Sequence, residues 1–196
     1  MSIRVFFRIV AVVAVIFAAH RALAQADANV ISDPTSTAIL LSNPGVRVVV
    51  LYFAATDCPI SNREVPEVIR LSHHFPAPSV RFWWVYPNVE DNGQTVVKHL
   101  HDFSIPAIGV VDHRQVFVAL AHATITPEAA VFLVEGKKLH EVYHGRIDNR
   151  YITLGQERPQ ANHHDLELAI GAALAGKPVP QPDGPPVGCA IAPPQK

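Results

Sequence analysis

Apolar runs in the middle of the chain alternate with segments whose apolar residues recur at helical spacing. The run over 46–54 is almost continuous and rich in β-branched residues, and it follows an Asn-Pro-Gly turn. Such a run is typical of a strand that is buried on both faces. The same patterning predicts further strands over 80–86 and 107–111, and helices over 59–75 and 94–103.

The second half of the chain adds antiparallel strands to this alternation. Segments 128–134 and 139–143 flank a short polar turn, which predicts a β-hairpin. A short helix is predicted over 114–121, and a final helix between Asn162 as N-cap and Gly176 as the residue after its C-terminus. Strands that alternate with helices favour a parallel core, so the predicted fold is an α/β sandwich with a mixed central sheet and helices on both faces.

The N-terminal residues have the pattern of a secretory signal peptide. Arg4 and Arg8 precede an apolar run over 9–19, and small residues follow at 22–24. The run is shorter than the roughly 20 apolar residues that a membrane span needs, although a retained N-terminal anchor is the alternative. We therefore expect an exported protein, periplasmic or secreted, with no stable membrane span after cleavage.

The remaining chain divides into a domain and a tail. We predict a signal peptide over 1–24, a single domain over 25–176 and a Pro-rich tail over 177–196, which carries Cys189. The signal peptide contains three arginines and no acid, so its removal shifts the formal net charge from −1 to −4. This charge provides no basic surface for nucleic acid, and no nucleic-acid partner is expected.

The chain has two cysteines, Cys58 and Cys189, and Cys58 lies where the first predicted strand gives way to a helix. Pro59 suits the first helical position, where a missing N–H group costs nothing. The sulfur is then expected beside unpaired backbone N–H groups, which favour the nucleophilic thiolate. The alternative is that Cys58 is a small buried apolar residue.

These residues resemble the active site of the thioredoxin superfamily. The sequence Cys58-Pro59-Ile60-Ser61 is similar to its C-x-x-C element with Ser61 in place of the second cysteine, and Thr126-Pro127 resembles its cis-proline loop. The resemblance implies a thioredoxin-like three-layer sandwich, with Pro127 packed beside the sulfur. Together with Gly188-Cys189, the motifs more narrowly resemble exported redoxin-type proteins related to the alkyl hydroperoxide reductase and thiol-specific antioxidant family.

The resemblance implies a thiol–disulfide oxidoreductase that acts on protein disulfide or thiol clients and needs no cofactor. Cys58 is the expected nucleophile, Cys189 the expected resolving thiol, and Ser61 a donor to the Cys58 thiolate. Conventional peroxiredoxin activity is not expected, because Ala55 stands three residues before the cysteine, where peroxiredoxins carry Thr or Ser.

Two other hypotheses remain open at this point. Cys58 and Cys189 could form a structural disulfide that fastens the tail to the domain, as exported proteins commonly do. Alternatively the fold could bind copper, as in the Sco copper chaperones, through Cys58, Cys189 and His122, since thiolate and imidazole are suitable copper ligands.

Overall fold

The structure is a computed structural model that describes residues 30–194. Its helices, in chain order, are α1 (Pro59–His74), α2 (Gly93–Asp102), α3 (Val116–Ala121) and α4 (Asp165–Leu174), with a 3-10 helix over Thr37–Leu41. Its strands are β1 (Val30–Ser32), β2 (Val48–Phe53), β3 (Val80–Tyr86), β4 (Gly109–Val111), β5 (Ile125–Thr126), β6 (Glu128–Glu135), β7 (Lys138–Gly145), β8 (Tyr151–Thr153), β9 (Gln156–Glu157) and β10 (Cys189–Ala190).

Six of these strands form the central sheet, in the order β1-β4-β3-β2-β6-β7. The pairs β1–β4, β4–β3 and β3–β2 are parallel, whereas β6 pairs antiparallel with both β2 and β7. The predicted α/β class and mixed sheet are therefore confirmed. Two short antiparallel pairs, β5–β10 and β8–β9, lie outside the central sheet.

Strand β2 is the centre of the core, and each of its six residues is buried. Val48, Val50 and Tyr52 face the side that packs beneath α1, α2 and α4. The intervening residues face the other side, which the 3-10 helix and α3 cover. Because both faces are covered by helices, the strand reads as an uninterrupted apolar run.

Helix α1 begins directly after β2 and the loop that contains Cys58. Pro59 stands in its first turn, as the sequence predicts, and its buried apolar residues are Val65, Val68 and Leu71. Pro66 lies inside the helix, which nevertheless continues to His74. The packing of these buried residues against the sheet thus fixes the orientation of α1 and the position of its N-terminal end.

The structure departs from the predicted elements mainly in short segments. Strands β8 and β9 form a small hairpin in a polar stretch for which the sequence predicts no strand, and α4 begins after His164 rather than at an Asn162 cap. Two- and three-residue strands carry too few residues to show a periodicity. The predicted signal peptide, residues 1–24, lies outside the described residues. Within residues 30–194, no helix combines the length and apolar character that a membrane span requires.

The C-terminal segment, residues 177–194, is the largest departure. The sequence predicts a Pro-rich tail without strands, but this segment runs back across the domain and contributes β10. Its Gln181 side chain donates to the carbonyl oxygen of Val142 at 3.0 Å. The segment therefore lies against the surface of the domain and delivers Cys189 to a defined place.

Candidate active site

Cys58 is the residue immediately before α1, with an extended backbone at φ −80° and ψ 113°. The end of β2 and the start of α1 hold it in a fixed loop, in which the Cys58 N–H donates to the carbonyl oxygen of Ala55 at 3.4 Å. Its side chain is only 1% exposed. The thiol is thus where the sequence predicts it, at the end of a central strand and the start of a helix.

The loop before β6 contacts the Cys58 thiol. Cys58 Sγ donates to the carbonyl oxygen of Thr126 at 3.3 Å, and the Thr126–Pro127 peptide bond is cis, as the resemblance implies. The expected contact between the sulfur and the backbone N–H groups of α1 is not made, because the Cys58 side chain accepts no capping hydrogen bond. The thiol proton points to Thr126 instead.

Cys189 reaches the same site from the C-terminal segment. Strand β10 pairs antiparallel with β5 in a register that sets Cys189 opposite Thr126. Both cysteines are free thiols, and Cys189 is half-buried. Burial, interaction with the Cys58 thiol and the charge of Asp57, in that order, raise the pKa of Cys189 to about 12. The fold thus brings together two cysteines that are far apart in sequence.

Gly188 makes this approach possible. A Cβ atom added at Gly188 would lie 2.1 Å from the carbonyl oxygen of Thr126 and 2.8 Å from Cγ2 of Ile125. Both distances are well inside van der Waals contact, so any other residue at this position would push β10 away from β5. Glycine at position 188 therefore allows the C-terminal segment to lie against Thr126, whose carbonyl oxygen accepts the Cys58 thiol proton.

Further contacts hold the C-terminal segment on both sides of this dipeptide. Asp183 forms an ion pair with Arg146, which also donates from Nε to Asp165 Oδ2 at 2.7 Å. Beyond β10, the Ile191 N–H donates to the carbonyl oxygen of Thr124 at 2.9 Å. The segment is anchored before and after Cys189, so the cysteine cannot move far while these contacts persist.

Ser61 does not contact the cysteine in the way the sequence suggests. Its Oγ accepts from the Ala55 N–H at 3.2 Å, and the Tyr52 hydroxyl donates to its carbonyl oxygen at 3.0 Å. The hydroxyl is therefore turned towards the end of β2, and the expected hydrogen bond to Cys58 is replaced by one that braces the loop. Ser61 is fully buried.

A second set of hydrogen bonds braces the loop from the side of α2. Asn62 Nδ2 donates to the carbonyl oxygen of Thr56 at 3.0 Å, and Asn62 Oδ1 lies 2.8 Å from His99 Nε2. Tyr86 completes the set, with its hydroxyl 2.9 Å from His99 Nδ1. The amide oxygen only accepts, so His99 carries its proton on Nε2 and accepts from Tyr86. Burial lowers the pKa of His99, which favours this neutral form.

Glu64 is a buried acid on α1 that sequence patterning does not single out. It is 4% exposed, and its Oε1 atom has no hydrogen-bond partner. Burial, followed by the charge of Asp148, raises its pKa to about 8. A small cavity beside it is also lined by Pro127 and by Pro185 and Val187 of the C-terminal segment. In the sequence, the available signal for Glu64 is an acidic residue next to Val65, within the apolar stripe of α1.

His122 does not complete a metal site with the two cysteines. It follows α3 in a left-handed conformation with φ 52°. Within residues 30–194, the group of three potential ligands whose atoms lie within 4.8 Å of one another is Glu67, His164 and Glu167. Arg70 donates to both Glu67 and Glu167 there, so a guanidinium already pairs with the two carboxylates of that group. Cys58, Cys189 and His122 form no such group among these residues, and copper binding stays a prediction.

Comparisons with known proteins bear on the fold. No family model matches the sequence, and neither does any curated protein. An uncharacterized conserved protein from Geobacillus kaustophilus is similar in structure, with TM-score 0.60 and 25% identity over 74% of this chain and 76% of that one. A hypothetical protein from Sinorhizobium meliloti 1021 gives TM-score 0.61 and 18% identity over 75% and 80%.

A weaker match is a secreted Mycobacterium tuberculosis disulfide oxidoreductase homologous to E. coli DsbE, with TM-score 0.42 and 12% identity over 66% of this chain and 81% of that one. The sheet order, the cysteine before α1 and the cis-proline loop beside it together define a thioredoxin-like fold. The predicted thioredoxin-like fold is therefore confirmed. The narrower likeness to redoxin-type proteins stays a prediction.

Proposed function

We propose that the protein is an exported thiol–disulfide oxidoreductase in which Cys58 attacks a client disulfide and Cys189 resolves the mixed disulfide. A thioredoxin-like fold serves many activities, so the fold alone does not decide this. The proposal is carried by the pairing of β10 with β5, which sets Cys189 opposite Thr126, the residue that accepts the Cys58 thiol proton.

The proposed exchange has two steps. The Cys58 thiolate attacks one sulfur of the client disulfide, which forms a mixed disulfide and releases the other client sulfur as thiolate. The Cys189 thiolate then attacks the Cys58 sulfur, forms the Cys58–Cys189 disulfide and releases the second client thiolate. The client gains two electrons that the cysteine pair loses, and a thiol reductant returns the pair to its free form.

The environments of the two sulfurs support this order of attack. In the free protein, burial and the neighbouring Cys58 thiol raise the pKa of Cys189, which disfavours its thiolate. The Cys58 contribution is lost once Cys58 is joined to a client sulfur, which favours the Cys189 thiolate at the step in which it attacks. Once Cys58 is joined to a client sulfur, Cys189 is the neighbouring thiol that can attack it. Ser61 cannot take this role, because a hydroxyl does not form a disulfide.

A structural disulfide is the second candidate, and the same proximity favours it. The contacts of Gln181, Asp183 and Ile191 already hold the C-terminal segment in place, and a Cys58–Cys189 bond would fix it further. The two candidates differ in how readily the bond is reduced, because catalytic disulfides are reduced by mild thiols and structural ones resist them.

Intact mass after alkylation tests both candidates on the mature protein. Exchange predicts two free thiols after mild reductant, a reversible loss of two hydrogens after oxidation, and no such loss in Cys58→Ser or Cys189→Ser. A bond that survives mild reductant would favour the structural role and overturn exchange. Copper that blocks alkylation at one ion per chain would instead favour metal binding by the two thiols.

Export is tested separately. The proposal places the mature chain outside the cytoplasm, with cleavage after Ala24, because the leader combines a basic start, a short apolar run and small residues. N-terminal sequencing of the protein recovered from a periplasmic extract or culture medium is expected to begin at Gln25. Recovery of the uncleaved chain in the membrane fraction would indicate an anchor.

A further inference from the structure

A cavity of about 430 Å³ lies at the opposite end of the central strands from Cys58. It is bounded by the start of β3, the C-terminal end of α1 and the segment 105–108 that leads into β4. Strands β2 and β3 are parallel, with Val48 opposite Val80, whereas Cys58 follows the far end of β2. The volume is in the range of small-molecule sites, and thiol exchange at Cys58 makes no use of it.

The edge of β3 is open where it borders this cavity. Strand β4 pairs with β3 only from Trp84 onward. The Trp84 N–H donates to the carbonyl oxygen of Ile108 at 3.3 Å, so the even-numbered residues of β3 turn their backbone groups to this side. Phe82 therefore directs its N–H group to a side on which, within residues 30–194, no strand pairs with it. A ligand in the cavity can accept a hydrogen bond from that group.

Arg81 supplies a positive charge at the same edge. Its guanidinium Cζ lies 5.5 Å from the centre of the Trp83 ring, a cation–π contact that holds the group in place. Arg81 Nε and Trp83 Nε1 are both buried, and neither has a hydrogen-bond partner in the part of the chain that the structure describes. Both groups can only donate, so they favour an acceptor that carries negative charge.

The remaining walls of the cavity determine what else the ligand must present. Among the described residues that line it there is no acid, and most of its other side chains are apolar, among them Val80, Ile105, Ala107 and Ile108. One guanidinium balances a single negative charge, and apolar walls suit a hydrocarbon body. A monocarboxylate with an apolar body satisfies both conditions, whereas inorganic phosphate would leave the apolar walls without a partner.

We propose that this cavity binds a small amphipathic monocarboxylate. Its carboxylate pairs with Arg81 and accepts from the Phe82 N–H, and its apolar body lies against Val80 and Ile105. The site is separate from Cys58 and does not depend on the proposed thiol–disulfide exchange.

Isothermal titration calorimetry of the full mature chain with phenylbutyrate tests the proposal. Phenylbutanol is the matched uncharged probe, and acetate keeps the charge without the apolar body. Phenylbutyrate is expected to bind saturably at one molecule per chain, at least about tenfold more tightly than either of the other probes. Cys58→Ser is expected to bind phenylbutyrate as the wild type does, because the thiol takes no part.

Variants of the lining residues locate the bound probe. Arg81→Gln is expected to weaken phenylbutyrate binding at least about tenfold, as the loss of a hydrogen bond to a charged group predicts. Arg81→Lys keeps the charge without the fork geometry and should bind more tightly than Arg81→Gln. Arg114→Gln is the matched control, because Arg114 is exposed and does not line the cavity. Ala107→Leu places a larger side chain in the cavity and is expected to abolish binding.

Three results would overturn the proposal. These are equal affinities for phenylbutyrate and phenylbutanol, unchanged binding in Arg81→Gln, and no binding of phenylbutyrate to the wild type. If Arg81→Gln does not fold, the comparison of the charged and uncharged probes on the wild type, together with Ala107→Leu, still decides the question.

Discussion

Arg146 donates to both carboxylate oxygens of Asp165, from Nε at 2.7 Å and from a terminal nitrogen at 3.3 Å. The pair joins the end of β7 to the first turn of α4, and the Asp165 side chain is only 2% exposed. The same guanidinium reaches Asp183 in the C-terminal segment, whose side chain is 75% exposed. One arginine thus links a buried contact of the domain to the segment that carries Cys189.

Removal of this arginine is expected to weaken the domain. Arg146→Met leaves the Asp165 carboxylate buried with only His163 nearby, and we expect the free energy of unfolding to fall by about 2–3 kcal/mol in urea titration. Arg150→Met is the matched control, since its partner Glu157 is 45% exposed and the pair should contribute at most about 1 kcal/mol. If the two variants lose the same free energy of unfolding, the buried ion pair does not contribute more to stability than the exposed one.

Oxidation of the cysteine pair is expected to stabilise the protein. A Cys58–Cys189 bond closes a long loop of the unfolded chain, which the chain-entropy treatment values at up to about 4–5 kcal/mol. Thermal unfolding of the oxidised protein should therefore occur at a higher temperature than that of the reduced protein. The double variant with serine at both positions serves as the control and should not respond to oxidant.

Glu64 is expected to make stability fall as pH rises. Burial raises its pKa from 4.5 to about 8, so the carboxyl stays protonated in the folded protein at pH values where the unfolded chain is ionised. Glu64→Gln should match the wild type below pH 4.5 and gain on it up to about pH 8, by on the order of 3 kcal/mol. Urea titrations across this range measure the difference.

The control for this pH dependence is Glu90→Gln, which removes an exposed carboxylate from a loop and is measured in the same titrations. If the free energies of unfolding of Glu64→Gln and the wild type differ by the same amount at every pH, the pKa of the buried carboxyl is not raised.

His99 is expected to act in the opposite direction. Its pKa is lowered by burial, so the neutral ring contributes stability above the unfolded value of 6.5, and that contribution is lost as pH falls towards the folded pKa. The stability difference between wild type and His99→Gln should therefore shrink below pH 6.5. His101→Gln, at a side chain that is 88% exposed, is the control, and a similar trend there would argue against a specific role of burial.

Sequence patterning predicts the part of the site that local signals determine. The buried run of β2, the proline after Cys58 and the apolar stripe of α1 together locate the thiol, because each is a property of neighbouring residues. The Thr126–Pro127 loop is found through its resemblance to a known motif. From these elements the sequence predicts the central sheet, its helices and the position of Cys58.

The remainder of the site depends on tertiary contacts that no periodicity encodes. The C-terminal segment is Pro-rich, and its two-residue strand forms only because β5 offers an unpaired edge. Ser61 binds the end of β2 rather than the cysteine, a choice set by the packing of Tyr52. His122 is a neighbour in sequence of the Thr126 loop, but the turn after α3 determines its direction.

The two sulfurs belong to elements that meet only through docking, and this couples electron transfer to tertiary structure. The effective concentration of Cys189 at Cys58 depends on how firmly the C-terminal segment is held, including contacts as distant as those of Asp183 and Gln181. In the proposed cycle, a tenfold loss of that effective concentration raises the reduction potential by about 30 mV. Substitutions that touch neither sulfur are therefore expected to tune how oxidising the pair is.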